Sequence, residues 1–539
     1  MKKIIYVLAA FMAIAFVNSC ETLEVAPPNN ITDEQIQEML RGGDESVQKL
    51  ILDVVGSGLQ GNFNMAGAHW TGYSSYPLNS QVDQDFLMNM RGNDVLLGTL
   101  ATASSGHENA YQLIKTYSLA INTYPYYALC ATMLTNANKA LLYLTPEAAE
   151  AGAAAKKYRG QALAVRAYAY LQLMERFCPA YTNGGKDGKG MPIYKDYGIN
   201  DPAPISSATD TYKFILDDLK EAVTDLSATG YTAEPKDIDL GVAQYLLARA
   251  ALWYGDWNTC IGAAKDLVAH YPDFIQEQYY GAKDKDFTAY CAGTKDLKSE
   301  NNAFIVLDHN PEVIMGFVNG DGSNTYPNSF RNVFAAGMAG DGQEAPRIDS
   351  RLYSEIDDND YRKDNYSTTS ANYTYIVDAS KKEDVRMIPE QANLKFAATM
   401  CKGTDVRNHE LSCDNVIFRS SEVYLMLAEA YAQSGQDGPA KSTLNILLAA
   451  RTRSGAPVLT CDNYSSMKGM TALQMVELQT RIEMWCENGL EFYNNKRWNI
   501  DVDRTGSTNH YRTSETLKVS EMTLQMCIDE TSTNDHWAD

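Results

Sequence analysis

Apolar residues recur at helical spacing through the first half and the last third of the chain. Leu163, Ala167, Tyr170, Met174 and Phe177 follow one another at steps of four, three, four and three, which places them on one face of a helix. Ile215, Leu219, Ala222 and Leu226 repeat the pattern over Tyr212 to Leu226, and Ser207 with Asp210 ahead of them fits a capping-box start. Met475, Leu478, Ile482 and Trp485 predict another stripe near the C-terminus. Residues 241–272 read as a helix, the turn Gly255-Asp256-Trp257, a second helix and Pro272. Residues 422–453 read as a helix, a turn at Gly435 and a second helix opening at Ala440. Both segments resemble tetratricopeptide-type helix pairs, although any antiparallel helix pair has the same pattern. They lie 180 residues apart and do not form a regular array.

Between them the periodicity stops. Residues 273–410 are rich in Gly, Asn, Asp, Ser and Tyr, as in Asn319-Gly320-Asp321-Gly322-Ser323-Asn324 and Asp357-Asp358-Asn359-Asp360. Such clusters form loops, and ordered loops on a rigid scaffold are where binding residues concentrate. Short strands are predicted at Ala303 to Leu307 and Tyr373 to Val377. The expected organisation is an N-terminal helical part (31–272), a loop-rich insertion (273–410) and a C-terminal helical part (411–539) of one domain.

The N-terminus constrains where this body works. Lys2 and Lys3 precede the apolar stretch Ile4 to Val17 and then Asn18-Ser19-Cys20, which reads as a lipoprotein signal peptide (1–19) with Cys20 as the lipidated first residue. The stretch is shorter than a spanning helix requires. An ordinary signal peptide with an incidental cysteine is the plainer alternative. Residues 20–30, with Pro27-Pro28, read as a tether. At 45% hydrophobic and 21% charged, the chain has material for a sizeable core. The net charge of -22 becomes -24 after removal of residues 1–19, which carry Lys2 and Lys3 and no acid. That sign argues against a nucleic-acid backbone or an anionic lipid surface as the main partner, since both demand a basic footprint.

Nine cysteines besides Cys20 are scattered without a CxxC pair, as expected of small buried apolar residues. Cys401, His409 and Cys413 have no second close pair to complete a zinc site. Asp321, Asn324 and Asp341 lack the spacing of an EF-hand, and no metal or cofactor is expected. His107-Glu108 has no second histidine four residues on, and neither a GxSxG elbow nor a P-loop is present. A glycosidase carboxylate pair depends on the fold and cannot be read from spacing.

Aromatic residues are the stronger lead, with 34 tyrosines and 6 tryptophans. A sugar offers C–H groups on one face and hydroxyls at its edge, so flat amphipathic rings beside amides suit it. Three groups combine rings with amides: Trp70, Tyr73 and Tyr76; Tyr124, Tyr126 and Tyr127; and Asn324, Tyr326 and Phe330. Half-buried packing is the commoner fate of any single tyrosine.

Several stretches carry a family resemblance. Arg159-Gly160-Gln161-Ala162 through Arg166-Ala167-Tyr168-Ala169-Tyr170, with Met191-Pro192 after it, is similar to the "GEA.FLRA.YYF" helix of the SusD/RagB family. Ala243 to Ala250 resembles that family's "A.ALLAR" helix, and Phe418-Arg419-Ser420-Ser421-Glu422-Val423 through Ala428-Glu429-Ala430 its "RYAEVLL.YAEA" helix. Glu487 to Phe492 with Lys496-Arg497-Trp498 resembles "FEG.R..DL.RW". These are outer-membrane nutrient-binding lipoproteins of Bacteroidetes-type bacteria. The resemblance implies a mostly α-helical SusD-like scaffold with a few short strands. It also implies a lipid-anchored, cell-surface protein of the outer membrane that binds glycan without turnover and passes it to a SusC-like TonB-dependent transporter. A peptide-binding member of the family and a surface glycoside hydrolase are the alternatives. The matching motifs are structural in that family and do not mark the ligand site.

Overall fold

The computed structural model describes residues 32–42, 45–56, 58–64, 81–96, 123–198, 201–286, 301–318, 347–368, 371–376, 383–388, 390–396, 414–510 and 516–538. Helices dominate. In chain order they are α1 (Asp33–Gly42), α2 (Glu45–Gly56), α3 (Gln81–Arg91), α4 (Tyr124–Tyr143), α5 (Ala153–Phe177), α6 (Ala208–Leu226), α7 (Leu240–Tyr254) and α8 (Trp257–His270). The C-terminal half adds α9 (Ser350–Glu355), α10 (Ser420–Gln433), α11 (Asp437–Ala450), α12 (Ala472–Glu483), α13 (Leu490–Trp498) and α14 (Ile528–Thr533).

The predicted helices end where local chemistry ends them. Ser207 accepts a hydrogen bond from the Asp210 amide at 3.0 Å and starts α6. Asp239 caps α7 through the Val242 amide, and Asp256 caps α8 through the Thr259 amide, both at 3.1 Å. Between α7 and α8, Gly255 takes φ +84, the left-handed conformation that closes a helix without a Cβ clash. The second pair, α10 and α11, turns at Gly435, but α11 opens at Asp437 and not at Ala440. Pro439 is tolerated there because first-turn amides need no intrahelical partner. Trp485 lies beyond the end of α12, where its indole donates to the Asp94 carbonyl at 2.9 Å.

The strands are short and pair in twos. β1 (Val95–Leu96) runs antiparallel to β5 (Arg347–Ile348), β2 (Lys189–Pro192) to β3 (Ile205–Ser207), β6 (Ala371–Ile376) to β7 (Glu383–Ile388), and β9 (Val502–Asp503) to β10 (Thr516–Leu517). β4 (Val313–Phe317) pairs with β8 (Asn415–Arg419), with Phe317 opposite Asn415 and Val313 opposite Arg419. The predicted strand at 373–377 is thus found as β6, one to two residues earlier. The one at Ala303 to Leu307 is not a strand. The Asn302 carbonyl accepts from the amides of Ile305 and Val306, its side chain accepts from Phe304, and a 3-10 turn follows at Leu307–His309. Asn302 folds the apolar run back on itself.

α5 is buried nearly all round, packed between α4 and α6, and one continuous apolar core joins the N-terminal helices to α10–α13. Phe418, on β8, stacks on Tyr245 of α7 at 4.1 Å and meets Tyr168 of α5 edge-on at 5.8 Å. Cys130, Cys178, Cys260, Cys461, Cys486 and Cys527 are buried free thiols whose pKa burial raises, in keeping with a packing role.

Candidate functional site

Of the three aromatic groups singled out in the sequence, one lies within the described residues. Trp70, Tyr73, Tyr76, Asn324, Tyr326 and Phe330 fall outside them, as do Cys20, Asp321, Asp341, Cys401, His409 and Cys413. Tyr124, Tyr126 and Tyr127 form the first turn of α4, entered through Thr123 with Pro125 in that turn.

Successive helical positions point about 100° apart, so these three rings separate. Tyr126 is fully enclosed, with the Arg176 guanidinium 5.5 Å from its ring centre, and burial pushes its phenol up to about 12. In this conformation it packs and offers no face to a ligand. Tyr127 is half-buried, edge-on to Phe177, and its hydroxyl donates to Glu530 Oε2 at 2.5 Å. Glu530 sits on α14, and its other oxygen accepts from the Trp537 indole at 3.0 Å and the Asn534 amide at 3.2 Å. Burial and the Glu530 charge keep the Tyr127 phenol protonated, well above its ordinary range.

The C-terminal segment is strapped along this turn. Thr123 Oγ1 donates to the Gln525 carbonyl, the Leu524 amide to the Arg176 carbonyl, Asn534 Nδ2 to the Ala203 carbonyl, and Lys189 Nζ to the Trp537 carbonyl. The result is a half-exposed pair of rings, Tyr127 and Trp537, held by one carboxylate whose oxygens already take three donors. Glu530 is therefore a brace, and the ring edges and faces are what remain for a ligand. Trp537 and Glu530 come from about 400 residues beyond Tyr127 in sequence, and no local pattern links them.

Charged residues of the resembling motifs serve the scaffold. Arg159 pairs with Glu221 and Asp225, Arg166 with Asp218, Arg249 with Glu175, and Arg497 with Glu429. The densest group is buried where the insertion meets α10–α12. Glu483 accepts from Arg451, Arg419 and Arg362; Glu312 from Arg451 and Arg419; Glu487 from Arg419 and Lys395; and Asp360 from Arg362. Four cations thus face four carboxylates. Glu483 is held well below the usual carboxylate range because the three guanidiniums outweigh its burial. Among the described residues no cluster of His, Cys, Asp and Glu fits a metal ion, and no helix is long and apolar enough to cross a membrane.

A helical scaffold of this kind is shared with solved binding proteins. The chain is similar to a SusD-like carbohydrate binding protein from Bacteroides vulgatus ATCC 8482, at 20% identity and TM-score 0.64, over 90% of this chain and 97% of that one. It is similar to a SusD superfamily protein from Bacteroides thetaiotaomicron VPI-5482, at 18% identity and TM-score 0.64, over 90% and 98%. Surface glycan-binding protein A from Bacteroides fluxus matches at 16% identity and TM-score 0.58, over 89% and 96%. At such identities the likeness establishes the fold. No curated protein matches. The model of the SusD family matches residues 274–538, and a second model, described as starch-binding associating with outer membrane, matches residues 81–245. The chain belongs to the SusD/RagB family. Carbohydrate binding and association with the outer membrane are the properties these descriptions give at the level of the family.

Proposed function

We propose that this protein binds a glycan at the cell surface without cleaving it and delivers it to a SusC-like TonB-dependent transporter in the outer membrane. The observation that carries the reading is the match of residues 81–245 to the family model described as starch-binding. The names of the carbohydrate-binding and glycan-binding structural relatives favour the same ligand class. The buried carboxylates Glu312, Glu483, Glu487 and Asp360 are committed to arginine and lysine partners. That is the chemistry of a structural lock and not of a general acid poised beside a base. Lipidation at Cys20 would moor the body, and Trp70, Tyr73, Tyr76, Tyr124, Tyr127, Asn324, Tyr326 and Phe330 are the residues proposed to meet the ligand.

A form lacking residues 1–20, titrated against linear polysaccharides and peptides, is expected to bind a polysaccharide and release no shorter product. Trp70→Ala and Tyr326→Ala are each expected to weaken binding about tenfold, the loss of one stacked ring. Product release that vanishes on replacing one carboxylate would establish a hydrolase instead.

A further inference from the structure

The N-terminal helices enclose a cavity lined by none of the residues proposed to meet the glycan. α1 and α2 pack against α4 and α5, and between them lies an open space of about 460 Å³. Close packing rarely leaves a void larger than a water molecule, and a space of this size holds a small organic ligand. Its inner lining is apolar: Leu40, Leu52, Leu144, Ala148 and Ala155 face it and are themselves buried. Its outer wall is the exposed run Ala151 to Ala154, where side chains are short or absent. A Cβ added to Gly152 would meet nothing within 4 Å, so the space is open on this side.

Most polar groups at the mouth are already engaged. Tyr158 donates to Asp53 Oδ1 at 2.6 Å, Lys157 Nζ to Asp237 Oδ2 at 2.7 Å, and Gln48 Nε2 to the Leu40 carbonyl at 3.1 Å. Lys49 is exposed and pairs with no acid among the described residues. The start of α5 lines the same cavity, and Gly152 at its N-cap offers no side-chain acceptor to the first-turn amides. An apolar interior with an unpaired cation at its mouth suits an anionic amphiphile. A sugar fits it poorly, because hydroxyls pressed against Leu and Ala side chains lose their water without gaining hydrogen bonds. Asp53, one turn after Lys49 on α2, weakens the attraction at the mouth, so the apolar chain supplies more of the binding than the head does.

We propose that this cavity takes a straight-chain carboxylate of the fatty-acid class, with its chain among Leu40, Leu52 and Leu144 and its carboxylate at Lys49. The inference is independent of the glycan reading. Its test is calorimetry on the form lacking residues 1–20 with hexanoate, octanoate, decanoate and decanol, each below the concentration at which it forms aggregates. Decanoate is expected to bind saturably, with affinity falling about two- to fourfold for each methylene removed. Lys49→Ala is expected to weaken decanoate about threefold and to leave decanol unchanged. Ala151→Trp and Ala154→Trp, at exposed positions of the wall, place an indole in the space and are each expected to weaken decanoate about tenfold or more; having two such variants keeps the test valid if one does not fold. Absence of decanoate binding, an affinity independent of chain length, or undiminished binding by the folded tryptophan variants overturns the proposal and leaves the glycan reading standing. A Lys49→Ala protein that binds decanoate as the wild type does overturns the placing of the carboxylate.

Discussion

At the residue scale, Glu491 is the most informative side chain. It is buried on α13, and both its oxygens accept from the Asn93 amide, at 2.8 and 3.0 Å, while Asn495 Nδ2 donates at 2.6 Å. Arg481, which could neutralise it, is bonded to Asp94. Burial, with the Asp94 charge added, raises the Glu491 carboxyl to about 7. An acid that binds its proton more tightly when folded stabilises the fold below the unfolded pKa. It loses that advantage as pH climbs from about 4.5 to about 7. Glu491→Gln is thus expected to gain in melting temperature relative to wild type between pH 5 and pH 8. A difference independent of pH would mean that the carboxylate stays ionised throughout. His510 moves the other way. Burial, with Arg504 beside it, lowers it to about 3, so the neutral ring donates through Nε2 to the Asn93 carbonyl at 3.2 Å.

At the element scale, the contact of α5 with α6 depends on a missing side chain. A Cβ on Gly160 would lie 2.7 Å from Leu226 Cγ and 3.1 Å from the Ala222 carbonyl, so the helices close only over glycine. Gly262, on the exposed side of α8, has nothing within 4 Å of the same position. Gly262→Ala is expected to stabilise the protein by about 0.5–1 kcal/mol through helix propensity. Gly160→Ala, although it makes the same chemical change, is expected to destabilise it by about 1–3 kcal/mol through overpacking. Urea unfolding of both variants checks the opposite signs. The sequence placed both glycines on helices correctly, but which of them faces a neighbour is a property of the packed pair.

At the scale of the whole molecule, buried charge joins the parts that composition separates. Glu312 comes from the loop-rich insertion, Arg419 and Arg451 from the α10–α11 region, and Glu483 from the end of α12, yet all four meet in a site closed to water. Glu483→Gln leaves three guanidiniums short of one charge and is expected to cost about 3–5 kcal/mol, read as a lowered urea midpoint. If the insertion were an independent unit, the variant would split unfolding into two transitions. The arrangement described here predicts one.

The hydrophobic period determined α5, α6 and both helix pairs, and Ser207 with Asp210 the start of α6, because helix formation and capping depend on neighbours a few residues apart. Motif order along the chain likewise carried the family. The strand at 303–307 failed because Asn302 offered its own backbone a local turn, which apolar content cannot reveal. Tertiary structure alone decided that Tyr126 is walled in beside Arg176 and that Tyr127 is clasped by Glu530, which also holds Trp537. Burial and long-range pairing are properties of surfaces brought together from hundreds of residues apart, and no local pattern encodes which face of a ring is left to the solvent.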